Sequence, residues 1–312
     1  MIVTENITKF FHLGGFERKK KIIRAVENVS FNIEKGETLG LVGESGSGKT
    51  TTGRILLRLM PLTAGRVLFD GTDIFKLNSR TLKLYRRRMQ IVFQDPYSSL
   101  NPRMTVKQII SEGMIIHGIG TQKERTDKVL KLLETVGLDI SSANKYPHEF
   151  SGGQRQRIAI ARAISLDPEF VVLDEPVSAL DVSIQAQIIN LLKDLQQKKN
   201  FTYLFISHDL AVVRHISHKI IVMYAGRVIE KGDSDNLFTS PLHPYTKLLL
   251  SSVPSLKGKS LKVNKYPDTE SDIPEKGCAF APRCPFCMER CLKETPQEIS
   301  ISPFHSVACF IY

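Results

Sequence analysis

Residues 38–60 read TLGLVGESGSGKTTTGRILLRLM. Thr38 to Val42 has the length and apolar content of a short buried strand, and Lys49 onward reads as a helix rich in Leu and Ile. Between them Gly43, Glu44, Ser45, Gly46, Ser47, Gly48, Lys49 and Thr50 fit the pattern Gly-x4-Gly-Lys-Ser/Thr in its strand–loop–helix setting. The spacing has a chemical reason. Glycines let the backbone wrap tightly, so successive N–H groups and the helix N-terminus point at phosphate oxygens. Lys49 then reaches the β- and γ-phosphates, and the Thr50 hydroxyl, with Thr51 beside it, faces a bound Mg2+. Taken alone, the loop predicts nucleoside triphosphate binding and nothing finer.

A second stretch supplies the acid. Phe170 to Leu173 is a continuous apolar run, as in a buried parallel strand, and it ends in Asp174-Glu175-Pro176. Ligands of open α/β sheets bind beyond the carboxyl ends of the strands, so Asp174 is the candidate Mg2+ partner. Glu175, one residue on, is placed to polarise an attacking water. Upstream, Phe150-Ser151-Gly152-Gly153-Gln154-Arg155-Gln156-Arg157 enters the apolar run IAIARAI, with Ser151 as the N-cap. Read alone, that segment is either a helix cap or a second set of N–H donors to phosphate.

FSGGQRQR resembles the signature of the ATP-binding-cassette (ABC) family, usually LSGGQ, with Phe150 in place of Leu. The other motifs of that family occur in order. Phe93-Gln94-Asp95-Pro96 resembles the Q-loop, Ser178-Ala179-Leu180-Asp181 the D-loop, and Ser207-His208-Asp209 the switch-histidine loop. The resemblance covers residues 1 to 235. It implies an α/β P-loop NTPase with a RecA-like core, an antiparallel β subdomain and a helical subdomain at about 95–164. It also implies two such domains packed head to tail around two ATP molecules. Ser151, Gly152, Gly153 and Gln154 would then face the ATP held by the partner, and Asp181 would line the dimer interface. Gln94 would sense Mg2+ and the attacking water, and His208 would contact the γ-phosphate. Glu175 is present, so a competent hydrolytic site is expected. The family stacks an aromatic ring on adenine, and Phe11 is the candidate; Phe10 and Phe11 also read as core strand residues.

The rest of the 312-residue chain narrows the class. Its 42% hydrophobic and 24% charged content is that of a globular protein. No apolar run approaches the roughly 18 residues that span a bilayer. MIVTENITKFF lacks the apolar centre of a signal peptide, so a cytosolic chain is expected. The net charge of +11 sits partly in runs such as ERKKK (17–21) and YRRRM (85–89). No nucleic-acid motif accompanies it, so it reads as a solvated surface and no nucleic-acid partner is expected. TDKVLKLLETVGL (126–138) has helical periodicity, and HPYTKLLLSSVP (243–254) reads as a short helix closed by Pro254. KGKSLKVNKYPDTESDIPEKG (257–277) reads as linker. The expected division is an ABC domain at 1–235 and a small C-terminal extension at 236–312.

VFQDPYSSLNPRMTV (92–106), EPVSALDVSIQAQIINLL (175–192) and HPYTKLLLSSVP resemble one subfamily, the ATPase subunits of dipeptide, oligopeptide and nickel importers. The wording QDPYSSLNP matches the second of that subfamily's two paralogous ATPases. The resemblance implies a heterodimer with a paralogous ATPase, two transmembrane permease subunits, an extracellular peptide-binding protein, and a place at the cytoplasmic face of the cell membrane. Four of the five cysteines fall in CAFAPRCPFCMERC (278–291). In a cytosolic chain such a cluster points to metal binding or redox activity rather than disulfides. Members of the subfamily carry a cysteine-bearing extension, some with an iron–sulfur cluster. Cys278, Cys284, Cys291 and Cys309 match that pattern, while Cys287 departs from it and is a substitute ligand. Four thiolates suit a 4Fe-4S cluster and equally tetrahedral Zn2+.

Competing classes fit less well. Translation-type ABC proteins carry two cassettes in one chain, whereas one phosphate loop occurs here. Repair types interrupt the cassette with coiled coils or zinc hooks. Export ATPases either are fused to membrane helices or lack this tail. Nickel or another small solute remains the alternative cargo.

Overall fold

The computed structural model describes residues 1–13, 21–251, 274 and 276–312. Most of ERKKK, the linker reading at 257–277 up to Lys276 (Pro274 apart) and the closure at Pro254 lie outside the described residues. The chain forms two compact units. One comprises residues 1–32, 38–73 and 207–312, the other residues 33–37 and 74–206.

The first unit holds two sheets. One has the strand order Lys21–Ile33, Ile2–Leu13, Ala64–Phe69, Thr72–Asp73, with Ile2–Leu13 and Ala64–Phe69 antiparallel and Ile2 opposite Phe69. Thr4 is buried in it without penalty, because its hydroxyl donates to Phe31 O (3.1 Å) and accepts from Phe31 N–H (2.8 Å). In the other, Thr38–Val42 runs parallel to Lys219–Tyr224, which pairs antiparallel with Arg227–Asp233. His305–Val307 and then Ile299–Ser302 extend that edge. Every residue of Thr38–Val42 is buried, as a continuous apolar run requires.

The second unit contains the parallel strands Met89–Val92, Phe170–Asp174 and Thr202–Ser207, in that order. Between residues 95 and 164 it has helices and no strand. Each helix start has a chemical cause. Thr105 with Gln108, Thr121 with Glu124 and Ser151 with Gln154 form reciprocal capping boxes at Val106–Ile116, Gln122–Thr135 and Gly152–Ile164. The helix expected at 126–138 therefore begins one turn earlier, at Gln122. It stops at Thr135 because Gly137 turns left-handed (φ 73°). Among the described residues no helix is long and apolar enough to cross a membrane.

Candidate functional site

The phosphate loop owes its shape to its own peptide groups. Gly43 and Gly48 adopt φ of 151° and 101°, and a Cβ on either would stand 2.2 Å from a carbonyl oxygen, Met223 O or Ala25 O respectively. Only glycine fits there. The loop is pinned further by Gly226 N–H donating to Ser47 O (3.0 Å). Lys49, 5% exposed, opens the helix Lys49–Leu56 and folds back over the loop. Its ammonium donates to Gly43 O and Glu44 O (2.8 Å each) and to Ser47 Oγ (3.4 Å). A cation solvated by loop carbonyls can be handed to phosphate oxygens at little reorganisation cost. Ser45 and Gly46 are exposed, and Thr50 lies half-buried on the helix's first turn.

In the second unit Asp174 ends its strand 2% exposed. Glu175 follows with φ of 47°, a left-handed backbone uncommon for a side-chain-bearing residue and frequent where function demands it. Its N–H donates to Ile206 O (3.0 Å), and its carboxylate accepts from Gln94 Nε2 (3.0 Å). The Ser178 N–H and hydroxyl both bond Glu175 O, at 3.3 and 3.2 Å. The Q-loop glutamine and the acidic residue, 81 positions apart in sequence, are thus one hydrogen-bonded pair. The next residue, Asp95, caps the one-turn helix Pro96–Ser99 by accepting from Tyr97 and Ser98 N–H. Those bonds, the Tyr97 one first, hold its carboxyl below the usual carboxylate range.

The signature motif presents an exposed, capped helix start. Ser151 and Gln154 are exposed while Phe150 is buried as the anchor, which explains how Phe stands where the pattern has Leu. Gly153 is required by close packing, since a Cβ would lie 2.6 Å from Ile184 Cγ2. Asp181 sits exposed at the N-cap of Val182–Lys199. In the first unit His208 is exposed, next to Asp209, whose carboxylate caps Leu210–Ile216. Phe11 lies half-buried on Ile2–Leu13, with Lys9 Nζ 5.1 Å from its ring centre.

The C-terminal residues gather around one buried carboxylate. Glu230, 1% exposed, accepts from Leu242 N–H and His243 N–H (2.8 Å each) and pairs with His305 Nε2 (2.7 Å). Phe280, 1% exposed, meets Tyr245 and Tyr224 edge-on, with ring centres 5.4 and 5.3 Å away. Cys278, Cys284, Cys291 and Cys309 line one small cavity beside Phe280 and His243; Cys287 is exposed outside it. All five thiols are free, and among the described residues no three His, Cys, Asp or Glu side chains stand at metal-ligand spacing. Burial raises the Cys278 and Cys309 thiols and pushes Cys284 up to about 11.

Sequence reasoning missed one connection. Tyr245 and Arg283, from the HPY and APRC stretches, both reach Glu44 of the phosphate loop. The only signal was an arginine directly before a cluster cysteine.

The family model described as "ABC transporter" matches residues 26–178, and that described as "Oligopeptide/dipeptide transporter, C-terminal region" matches residues 229–291. The oligopeptide transport ATP-binding protein AppF of Bacillus subtilis (strain 168) is 50% identical over 315 residues, covering 98% of this chain and 96% of its own. The dimeric ATP-binding cassette MJ0796, solved in a post-hydrolysis state with ADP and Pi, superposes with a TM-score of 0.68 at 33% identity, over 75% of this chain and 99% of that one. The cbiO1 protein of Clostridium perfringens, part of the ABC transporter complex cbiONQ, gives 0.66 at 27% identity, over 77% and 90%. With a cassette that carries the phosphate loop, the signature and the paired Gln94 and Glu175, and with a tail matching the oligopeptide/dipeptide transporter region, the chain belongs to the ABC transporter family.

Proposed function

We propose that this chain is the ATP-hydrolysing subunit of an importer of di- and oligopeptides, working with transmembrane permease subunits. Support for the cargo comes from the tail match at 229–291 and from the likeness to AppF. Nickel or another small solute is the alternative cargo. The observation that carries the hydrolytic role is Gln94 Nε2 held 3.0 Å from the Glu175 carboxylate. In this reading Lys49 exchanges the Gly43 and Glu44 carbonyls for β- and γ-phosphate oxygens, and the loop N–H groups of Ser45 to Thr51 cradle the phosphates. Mg2+, held by Thr50 with Gln94 and Asp174, would neutralise charge on the transferring phosphoryl group. Glu175 orients the attacking water, and His208 contacts the γ-phosphate. Phe11 stacks on adenine.

The second ATPase is a paralogue packed head to tail, so that Ser151, Gly152, Gly153, Gln154 and Asp181 complete the partner's site. Their exposure on the signature helix start and the loop before Val182 supports that role. Exposed Tyr97, Ile115 and Ile116 in the helical segment suit docking of the permeases, with an extracellular binding protein delivering peptide. The chain would then lie at the cytoplasmic face of the membrane, with 1–235 as motor and 236–312 as extension. Cys278, Cys284, Cys291 and Cys309, converging on one cavity, suit a structural 4Fe-4S cluster or Zn2+, which would supply folding energy to a small segment. Iron, sulfide and zinc analysis of anaerobically purified protein separates the two, and a metal-free protein removes this part of the reading.

Reconstitution with the permeases and the paralogous ATPase in proteoliposomes tests the whole. ATP-dependent peptide uptake is expected, and uptake of nickel but not peptide would overturn the cargo. Glu175→Gln should cut hydrolysis by about 10²–10⁴-fold while ATP binding persists. Unchanged turnover would remove Glu175 from the catalytic role.

A further inference from the structure

Glu44, the second residue of the phosphate loop, is held at three points. Its carbonyl accepts from Lys49 Nζ (2.8 Å). Its N–H donates to the hydroxyl of Tyr245 (2.8 Å), which is fully buried. Its carboxylate takes a two-pronged pair of bonds from Arg283, Nη1 to Oε2 at 2.8 Å and Nη2 to Oε1 at 3.0 Å. Arg283 ends the one-turn helix Ala281–Arg283, directly before Cys284, and is 239 residues from Glu44. Its guanidinium also lies 5.9 Å from the Tyr224 ring centre and 5.8 Å from that of Phe280, in the aromatic cluster that holds Tyr245.

The chemistry gives this contact a direction. A carboxylate one residue into a loop that binds a triphosphate repels its own ligand. A planar guanidinium bound through both nitrogens removes that repulsion and fixes the peptide whose carbonyl holds Lys49. We propose that Arg283 and Tyr245 are positioning residues through which the C-terminal module neutralises and holds Glu44, and so sets the nucleotide affinity of the phosphate loop. The proposal rests on reading residues 43–50 as the nucleotide site. Any rearrangement of the turn at Cys284 reaches the loop through the adjoining Arg283.

The test is the Kd of a fluorescent ATP analogue with Mg2+, measured on the full-length chain. Arg283→Met should bind about five- to tenfold more weakly, as expected for losing a partly exposed two-pronged ion pair beside an anion. Its deficit should shrink in high salt. Arg283→Lys, which restores the charge, should recover most of the affinity. Adding Glu44→Gln to Arg283→Met should bring affinity back close to the parent, because no uncompensated carboxylate remains. A purely structural role predicts instead that the double variant stays as weak as Arg283→Met, which would overturn the proposal, as would an Arg283→Met Kd equal to the parent's. Should Arg283→Met fail to fold, Arg283→Gln takes its place in the same set of variants, and a Kd equal to the parent's overturns the proposal. If the parent chain binds no analogue, the nucleotide reading of the loop itself fails.

Discussion

The phosphate loop and the C-terminal module are held in opposite ways. The loop is fixed by short-range peptide chemistry: Lys49 bonds a carbonyl six residues back, and two glycines sit where any Cβ would strike a carbonyl. The module is fixed by side chains distant in sequence. Glu230 and His305 are 75 residues apart, and Arg227 reaches Thr295 across 68. A loop that must offer its N–H groups to a ligand can spend few of them on side-chain partners, Glu44 N–H on Tyr245 being one, so backbone geometry does most of the holding. A small appendage buries polar anchors beside its aromatic cluster, and each is costly to break.

Three substitutions or conditions sharpen that contrast. Glu230→Ala leaves the Leu242 and His243 N–H groups and His305 without their buried acceptor, and should cost about 3–5 kcal/mol. Urea unfolding should show that loss in a transition of the module, and a change under about 1 kcal/mol would break the idea that Glu230 is its hub. Gly48→Ala should cost about 3 kcal/mol through the left-handed backbone and the clash at Ala25 O. Calorimetry should show that destabilisation together with loss of ATP binding; a stable variant that binds normally would show that the loop is less tightly built than its angles say.

The third is acidity. Burial, with Lys247 adding to it, lowers His243 from its ordinary 6.5 to about 3, and its Nδ1 accepts from Tyr245 N–H (3.0 Å), so the folded state keeps it neutral. Between pH 6.5 and 3 the unfolded chain binds a proton that the folded chain does not, so this contribution to stability falls as pH drops. Denaturant unfolding at pH 5 should lie about 2 kcal/mol below that at pH 7.5 from this residue. A flat profile, or the same slope in His243→Asn, would move the acid sensitivity elsewhere.

By itself the sequence determined the nucleotide chemistry. Residues 38–60 carry strand, loop and helix in one continuous stretch, and Phe170 to Glu175 ends an apolar strand in acid, because these features depend on neighbours within a few residues. The periodicity at 126–138 is local in the same way, and so is Thr121-x-x-Glu124, the pattern that starts Gln122–Thr135 a turn earlier than that periodicity marks. Tertiary structure alone decided which partners those residues meet. It paired Gln94 with Glu175, set Glu175 in a left-handed backbone, collected four cysteines around one cavity while leaving Cys287 outside, and brought Arg283 and Tyr245 to Glu44. Such contacts join residues up to 239 positions apart, and no periodicity or spacing in a chain encodes which distant side chains its folding will bring together.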